Sequence, residues 1–285
     1  MRSLLFVPAN SERFLDKALS LNPSVFVLDL EDSVPEAEKA NARVLLERAA
    51  PRFNGKRVWV RTNALTSAEF RLDVAATLRI EAEGIVVPKI DTPKDAIELD
   101  RALGDEERNE GTTAGALRII PLIESASAVW HAYEIVTSSP RMETLCFGGA
   151  RDGDLMADLG CDWSNDGAAL LHARRHTLLA ARAARCRYPL DGVFTDIRDR
   201  DGFERDTRLS RSLGYRGRAV VHPSQIELAD SIYRPTPDEI ERSRRVVEAF
   251  AAAEAAGRAT TVVDNRMVDV AMAAAARRLL EESAS

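Results

Sequence analysis

The chain has 285 residues, a formal net charge of -6 at pH 7 and a pI near 5.5. That acidic balance excludes a protein held on nucleic acid by phosphate contacts, because such affinity depends on a basic surface that releases counterions. Three cysteines, Cys146, Cys161 and Cys186, are odd in number and lack metal-ligand spacing, which excludes a disulfide framework and a zinc site and leaves reduced thiols in a cytoplasmic protein.

In chain order, eight short apolar, β-branched runs recur at residues 3–8, 25–30, 57–62, 84–88, 118–123, 144–148, 190–195 and 218–222, each followed by a stretch with helical spacing. The first run is too short for the apolar segment of a signal peptide, and no later stretch is long enough to span a bilayer, so neither export nor a membrane partner is expected. Strand-like runs alternating with helices predict repeated βα units around a parallel sheet buried on both faces. Eight units favour closure. The expected fold class is therefore α/β, a TIM (β/α)8 barrel over residues 1–233, with residues 234–285 as a C-terminal helical extension acting as a lid, an oligomer arm or both.

Helix starts are marked by Ser33-Val34-Pro35-Glu36, read as a capping box, by Thr92-Pro93, and by a second box at Thr236-Pro237-Asp238-Glu239. Phe70, Val74, Leu78 and Ala82 recur every four residues and give one helix an apolar face. The last box opens a long Ala/Glu/Arg-rich helix reaching about residue 256. A β-rich piece at 260–263 then meets the turn-prone Asp264-Asn265 pair, and a final amphipathic helix is expected over 267–282.

In such a barrel the loops after the strands form the mouth, so reactive groups gather at the C-terminal strand ends. Those positions hold Asp29, Glu31, Asp32, Arg61, Asn63, Lys89, Glu124, Asp152, Asp154, Asp191, Asp196, His222 and Gln225. Five or more carboxylates at one mouth would repel one another unless arginines or a cation neutralise them. With oxygen donors and no His/Cys set, the expected cation is Mg²⁺ or Mn²⁺, and Glu124 and Asp154 are the candidate metal ligands. The alternative is that these acids cap helices or pair with Arg61 and Lys89. Arg61 stands where a parallel strand is ordinarily apolar, so it either stabilises a substrate oxygen that gains charge or makes a plain salt bridge to Glu31 or Asp29. Arg61 and Glu124 are also the residues expected to meet the substrate.

Several segments together resemble the citrate lyase β-chain-like enzymes, which include malyl-CoA and citramalyl-CoA lyases. Arg2-Ser3-Leu4-Leu5-Phe6-Val7-Pro8 resembles the opening strand, Asp29-Leu30-Glu31-Asp32-Ser33-Val34 the acidic second strand end, and Val60-Arg61-Thr62-Asn63 the arginine strand. Pro121-Leu122-Ile123-Glu124-Ser125-Ala126 and Asp154-Leu155-Met156-Ala157-Asp158-Leu159-Gly160 resemble the segments that supply the two metal ligands. Further similarity lies in Asp191-Gly192-Val193-Phe194-Thr195-Asp196, in residues 217–225, and in Asp264-Asn265-Arg266-Met267-Val268-Asp269.

The resemblance implies a Mg²⁺-dependent carbon-carbon lyase that splits a β-hydroxyacyl-CoA into an acyl-CoA and a 2-oxo acid. It further implies Glu31 or Asp32 orienting metal-bound water and Asp269 as acid/base, delivered from a neighbouring subunit's extension in a homo-oligomer, a trimer or hexamer. Asp269 otherwise reads as a helix-start aspartate. CoA phosphates would meet Arg13 and Lys17, four apart on the first helix, for which a solvated face is the alternative. Alternative outcomes are a malyl-CoA thioesterase or malate synthase-like reaction, or a citrate lyase β subunit working with an acyl-carrier partner. The sequence departs from the family at residues 148–154, whose longer approach makes Asp152 a competitor of Asp154, and at Ala9, where glycine is usual. Arg174, Arg175, Arg182, Arg185 and Arg187 are read as exposed surface, with ligand binding as the alternative. His131, His172 and His176 are read as packing or surface residues.

Overall fold

The structure, a computed structural model, describes residues 1–164 and 166–283, which form two compact units, residues 1–231 and 232–285. The first unit holds eight parallel strands: β1 (Ser3–Pro8), β2 (Val25–Asp29), β3 (Val58–Arg61), β4 (Gly84–Val87), β5 (Arg118–Ile123), β6 (Cys146–Phe147), β7 (Leu190–Asp191) and β8 (Gly217–Val220). They pair in sequence order, and β8 pairs back onto β1 with Leu4 opposite Ala219, which closes the barrel. Its helices are α1 (Glu12–Leu19), α2 (Lys39–Ala49), α3 (Phe70–Arg79), α4 (Pro93–Asn109), α5 (Ala126–Trp130), α6 (Ala132–Thr137), α7 (Asp154–Leu159), α8 (Leu171–Ala183), α9 (Arg200–Leu213) and α10 (Ile226–Tyr233), the last crossing into the second unit. The fold is a TIM-barrel-like α/β fold with a C-terminal helical extension, as the alternation of runs predicts.

Every strand contributes to one apolar cluster of Leu4, Val25, Val27, Trp59, Val86, Ile120, Leu122, Cys146, Leu190 and Ala219. The interior is thus a packed core and not a pore. Cys146 is strand core. β6 and β7 are only two residues long, shorter than runs 144–148 and 190–195, and glycines beyond their ends let two backbones come close. A Cβ on Gly192 would stand 2.5 Å from the Gly149 carbonyl oxygen and 2.7 Å from that of Phe147.

Helix starts follow local chemistry at two of three places. Thr92 and Thr236 form full capping boxes with Asp95 and Glu239. Ser33 caps nothing, because its hydroxyl donates instead to the buried Asp29 carboxylate, and Pro35 precedes only a short 3-10 turn at Glu36–Glu38. Phe70, Val74, Leu78 and Ala82 are all buried, although the helix itself stops at Arg79.

A second correction concerns Arg174, which is 5 % exposed and not surface. Its guanidinium pairs with Asp191 and, at 2.8 Å, with Asp206, whose other oxygen lies 3.0 Å from Arg218 Nη1. Arg218 also donates to the Gly192 carbonyl at 2.8 Å and to Thr207 at 2.7 Å. Arg218→Met is expected to cost about 2–3 kcal/mol of stability, read as a fall in the urea midpoint, because the part-buried Asp206 loses one of its two guanidinium partners and the Gly192 carbonyl and Thr207 lose their donor. Burial pushes the Asp206 carboxyl up, but Arg218 and Arg174 outweigh it and hold it below its ordinary value. This contribution is therefore complete above the unfolded carboxylate range, about pH 4, and is lost as pH falls through the lower folded value.

The second unit contains α11 (Pro237–Ala255), a hairpin of β9 (Thr261–Val263) and β10 (Arg266–Val268), and α12 (Val270–Ser283). Val246, Phe250, Val263, Val268, Ala273 and Ala276 form its core. The final helix begins at Val270 and not at 267, because Asp264 and Asn265 both adopt positive φ, 52° and 59°, the two-residue turn that folds the next three residues back as a strand. Among the described residues no helix is long and apolar enough to cross a membrane.

Candidate active site

The C-terminal ends of β2 and β3 bring an acid cluster onto one guanidinium. Asp29 and Arg61 are opposite one another in the ladder, and Arg61 donates through Nε and Nη2 to the two Asp29 oxygens at 2.7 and 2.6 Å. Asp29 is fixed further by the Glu31 N–H at 3.0 Å and the Ser33 hydroxyl. Arg61 Nη1 lies 2.8 Å from Glu31 Oε2, and Phe6 packs under the guanidinium with 5.3 Å to the ring centroid. Glu31 Oε2 is buried without a well-directed hydrogen bond, and its other oxygen is 3.9 Å from Lys89 Nζ. Burial raises the Glu31 carboxyl to about 7 against the pull of Arg61, whose charge Asp29 already shares. Arg61 therefore makes the salt bridges of the alternative reading, and these bridges also hold its guanidinium at the mouth.

A buried polar relay supports this corner from behind. Lys39 Nζ donates to Asn63 Oδ1 at 2.5 Å and reaches the Leu30 and Glu31 carbonyls at 3.3 and 3.4 Å. Asn63 donates to Asp73 at 2.7 Å, and Asp73 accepts from Arg43 at 2.9 Å. Lys39, Arg43 and Asp73 escaped the sequence reading because they lie on helices, away from the strand ends. Their one signal was charge on positions that face the barrel.

Glu124 follows β5 directly and is half-buried at the mouth. Its Oε1 accepts from the Lys89 N–H at 2.9 Å, an approach that sets Lys89 at a φ of 57°. Gly148, at the end of β6, must be glycine here, since a Cβ would stand 2.4 Å from Glu124 Cβ. Burial raises the Glu124 carboxyl to about 7, opposed by the Lys89 N–H and reinforced by the negative charges of Glu31 and Asp154. Asp154 is the first residue of α7 and exposed, after Gly153 in extended conformation. Asp152 points outward, with 85 % of its side chain exposed, φ 58° and a loose 3.7 Å contact to Arg151.

The donor set, carboxylate oxygens at the strand ends with no His or Cys among them, suits a hard cation. Among the described residues no group of three or more His, Cys, Asp or Glu stands ready to ligate a metal.

The other expected residues fall into two groups. Asp32 is exposed beside Glu31, and Lys17 lines a groove of about 280 Å³ with Phe6, Val7, Pro8, Phe14 and His222, next to the ends of β1 and β8. Arg13 is exposed, with its guanidinium 5.1 Å from the Phe14 ring centroid. Asp191 is tied up with Arg174, Asp196 closes a turn by accepting from the Arg198 N–H, and Gln225 donates to the Phe194 carbonyl, so none of these three is brought to the acid cluster. Asp269 belongs to the second unit and caps α12, accepting from the Met272 N–H at 2.9 Å.

Residues 2–223 match the model of the HpcH/HpaI aldolase/citrate lyase family. The chain is 30 % identical to the citrate lyase subunit beta of Haemophilus influenzae over 100 % of this chain and 97 % of that one. It is 32 % identical to a (3S)-malyl-CoA thioesterase of Cereibacter sphaeroides over 99 % of this chain and 94 % of that one. Among solved structures, the protein CitE of Mycobacterium tuberculosis in complex with magnesium, acetoacetate and coenzyme A is 29 % identical, with a TM-score of 0.75 over the whole of both chains.

Proposed function

We propose, for a chain that belongs to the HpcH/HpaI aldolase/citrate lyase family, a Mg²⁺-dependent carbon-carbon lyase that cleaves a β-hydroxyacyl-CoA of the malyl-CoA or citramalyl-CoA type. The observation that carries this reading is the half-buried Glu124 carboxyl, fixed by the Lys89 N–H at the end of β5, with the Arg61 guanidinium held by Asp29 and Glu31 at the strand ends of the same barrel. The CitE structure that resembles this chain was solved with magnesium, acetoacetate and coenzyme A, a divalent cation with a small oxo acid and a thiol carrier.

Glu124 and Asp154 would hold the metal; Asp152, turned to solvent, is set aside as the competing ligand. When bound, Mg²⁺ supplies Lewis acidity at the hydroxyl that becomes the carbonyl of the 2-oxo acid. Arg61, locked by Asp29 and Glu31, holds a fixed positive charge where the oxygens of the reacting group carry negative charge, without reorganising during cleavage. Glu31 or Asp32 would orient water at the mouth. As the carbon-carbon bond breaks, its electron pair passes to the thioester as an enolate, the hydroxyl proton passes to a water at the mouth, and the enolate carbon takes a proton from the carboxylic acid form of Asp269, which regains it from solvent. For Asp269 to serve, its carboxylate must reach the thioester carbon from a subunit of the proposed homo-oligomer. Arg13 and Lys17 would meet the CoA phosphates, with the acyl arm along the groove of Phe6, Pro8 and Phe14.

Incubation with Mg²⁺ and a panel of malyl-, citramalyl- and citryl-CoA, followed by mass analysis, tests the reading. Release of an acyl-CoA with a 2-oxo acid is expected. Free CoA as the first product would move the assignment to thioester hydrolysis, the activity named for the Cereibacter relative. Turnover only with an acyl-carrier protein would move it to a citrate lyase β subunit. Lys17→Ala is expected to raise KM for the CoA thioester about tenfold with little change in kcat, as uniform binding is lost; an unchanged KM would return Lys17 to a solvated face.

A further inference from the structure

The short helix that carries Asp154 is fastened to the strand end that carries Glu124. α7 has only six residues, follows an exposed loop and ends at Gly160 in the left-handed region, φ 62°. Leu155 and Met156 are buried and hold it in depth. Such apolar burial is non-directional, so it does not by itself define how far Asp154 stands from the neighbouring strand.

Asp158 supplies direction. It lies one turn beyond Asp154, on the same helix face. Its Oδ2 accepts the Ala126 N–H at 2.6 Å. Ala126 opens α5 two positions after Glu124, and its N–H is one of those a helix start leaves without an intrahelical acceptor. The local cap, the Ser125 hydroxyl, is already taken by the Ala128 N–H and Asp91. Among the described residues this is the polar bond that joins α7 to another element, and it joins Asp154's helix to Glu124's loop.

We propose that Asp158 is a positioning residue whose hydrogen bond to Ala126 sets the separation of Asp154 from Glu124 and thereby the affinity of the site for a divalent cation. The inference rests on Glu124 and Asp154 being the ligand pair. A hydrogen bond donated by a backbone N–H to a side-chain oxygen is directional, which suits this task. Both partners face water, so losing the bond leaves no buried orphan group and the fold should tolerate it.

The test is titration of the full chain with Mn²⁺ alone, read by the electron paramagnetic resonance signal of free Mn²⁺. Asp158→Ala is expected to weaken binding about tenfold, while Asp158→Asn, which keeps an oxygen acceptor, stays within about threefold of the parent chain. Both variants should melt within about 2 °C of the parent. Undiminished Mn²⁺ affinity in Asp158→Ala would overturn the proposal, as would equal weakening in both variants, since carboxylate charge and not the hydrogen bond would then be acting. Glu124→Gln separates the underlying reading. If that variant binds Mn²⁺ as tightly as the parent, the ligand pair is wrong and this inference falls with it; if it loses Mn²⁺ while Asp158→Ala does not, only Asp158's role is refuted.

Discussion

Glu124→Gln abolishes Mg²⁺-dependent cleavage, with kcat/KM expected to fall about 10³-fold or more, since a Lewis acid at the reacting oxygen is worth several kcal/mol. Glutamine is the informative replacement. It keeps an oxygen to accept the Lys89 N–H and fits the space beside Gly148, so the loop and β6 need not move. It also removes one of the charges that repel one another at the mouth, so the thermal midpoint should hold or rise slightly. The measurements are steady-state cleavage of malyl- or citramalyl-CoA at saturating Mg²⁺ and the melting curve. A rate within threefold of the parent chain would remove Glu124 from the metal; a lost rate with a collapsed midpoint would show that the carboxyl serves the fold.

Arg61→Lys has the second large effect, a fall in kcat/KM of about 10²- to 10³-fold, the usual cost of removing one preorganised donor. Lysine keeps the charge but not the planar fork that grips both Asp29 oxygens while reaching Glu31. One carboxylate is then left without its partner, and the midpoint should fall. Arg61→Met should fall further, by about 3–5 kcal/mol, because the buried Asp29 and Glu31 lose the guanidinium they share. Comparing kcat with KM isolates the chemistry: a donor that works only during cleavage lowers kcat and leaves KM nearly unchanged. If Arg61→Lys turns over at the parent rate, the salt bridges are structural and the charge on the substrate oxygen is carried elsewhere.

Both experiments depend on neighbours that the linear pattern does not place together. Arg61 shows why. Its position on a strand announced an unusual guanidinium, and of its two readings the structure shows the salt bridges, in which Asp29 and Glu31 hold the group in place, while the substrate contact stays a proposal. Arg174 shows the opposite. Within a set of five arginines nothing marks the one that turns inward; only the tertiary fold, which brings α8 to Asp191 of β7 and Asp206 of α9, selects it. Ser33 is a third type, a capping signal that the fold does not use: its side chain turns to the buried Asp29 carboxylate, and the 3-10 turn starts only at Glu36, after Pro35.

Periodicity alone determined the barrel. Eight apolar runs with helical stretches between them leave few ways to bury both faces of a parallel sheet, and the capping boxes at Thr92 and Thr236 and the Asp264-Asn265 turn are set by residues within reach of their own backbone. Sequence also listed the acids at the strand ends. Tertiary structure alone decided which of them face one another, that Asp152 turns to water while Asp154 acts on Glu124, and that Lys39, Asn63 and Asp73 brace the corner from behind. The physical reason is range: caps and periods are local, whereas proton affinity and ion pairing depend on distances between groups far apart in the chain, which no spacing along the sequence encodes.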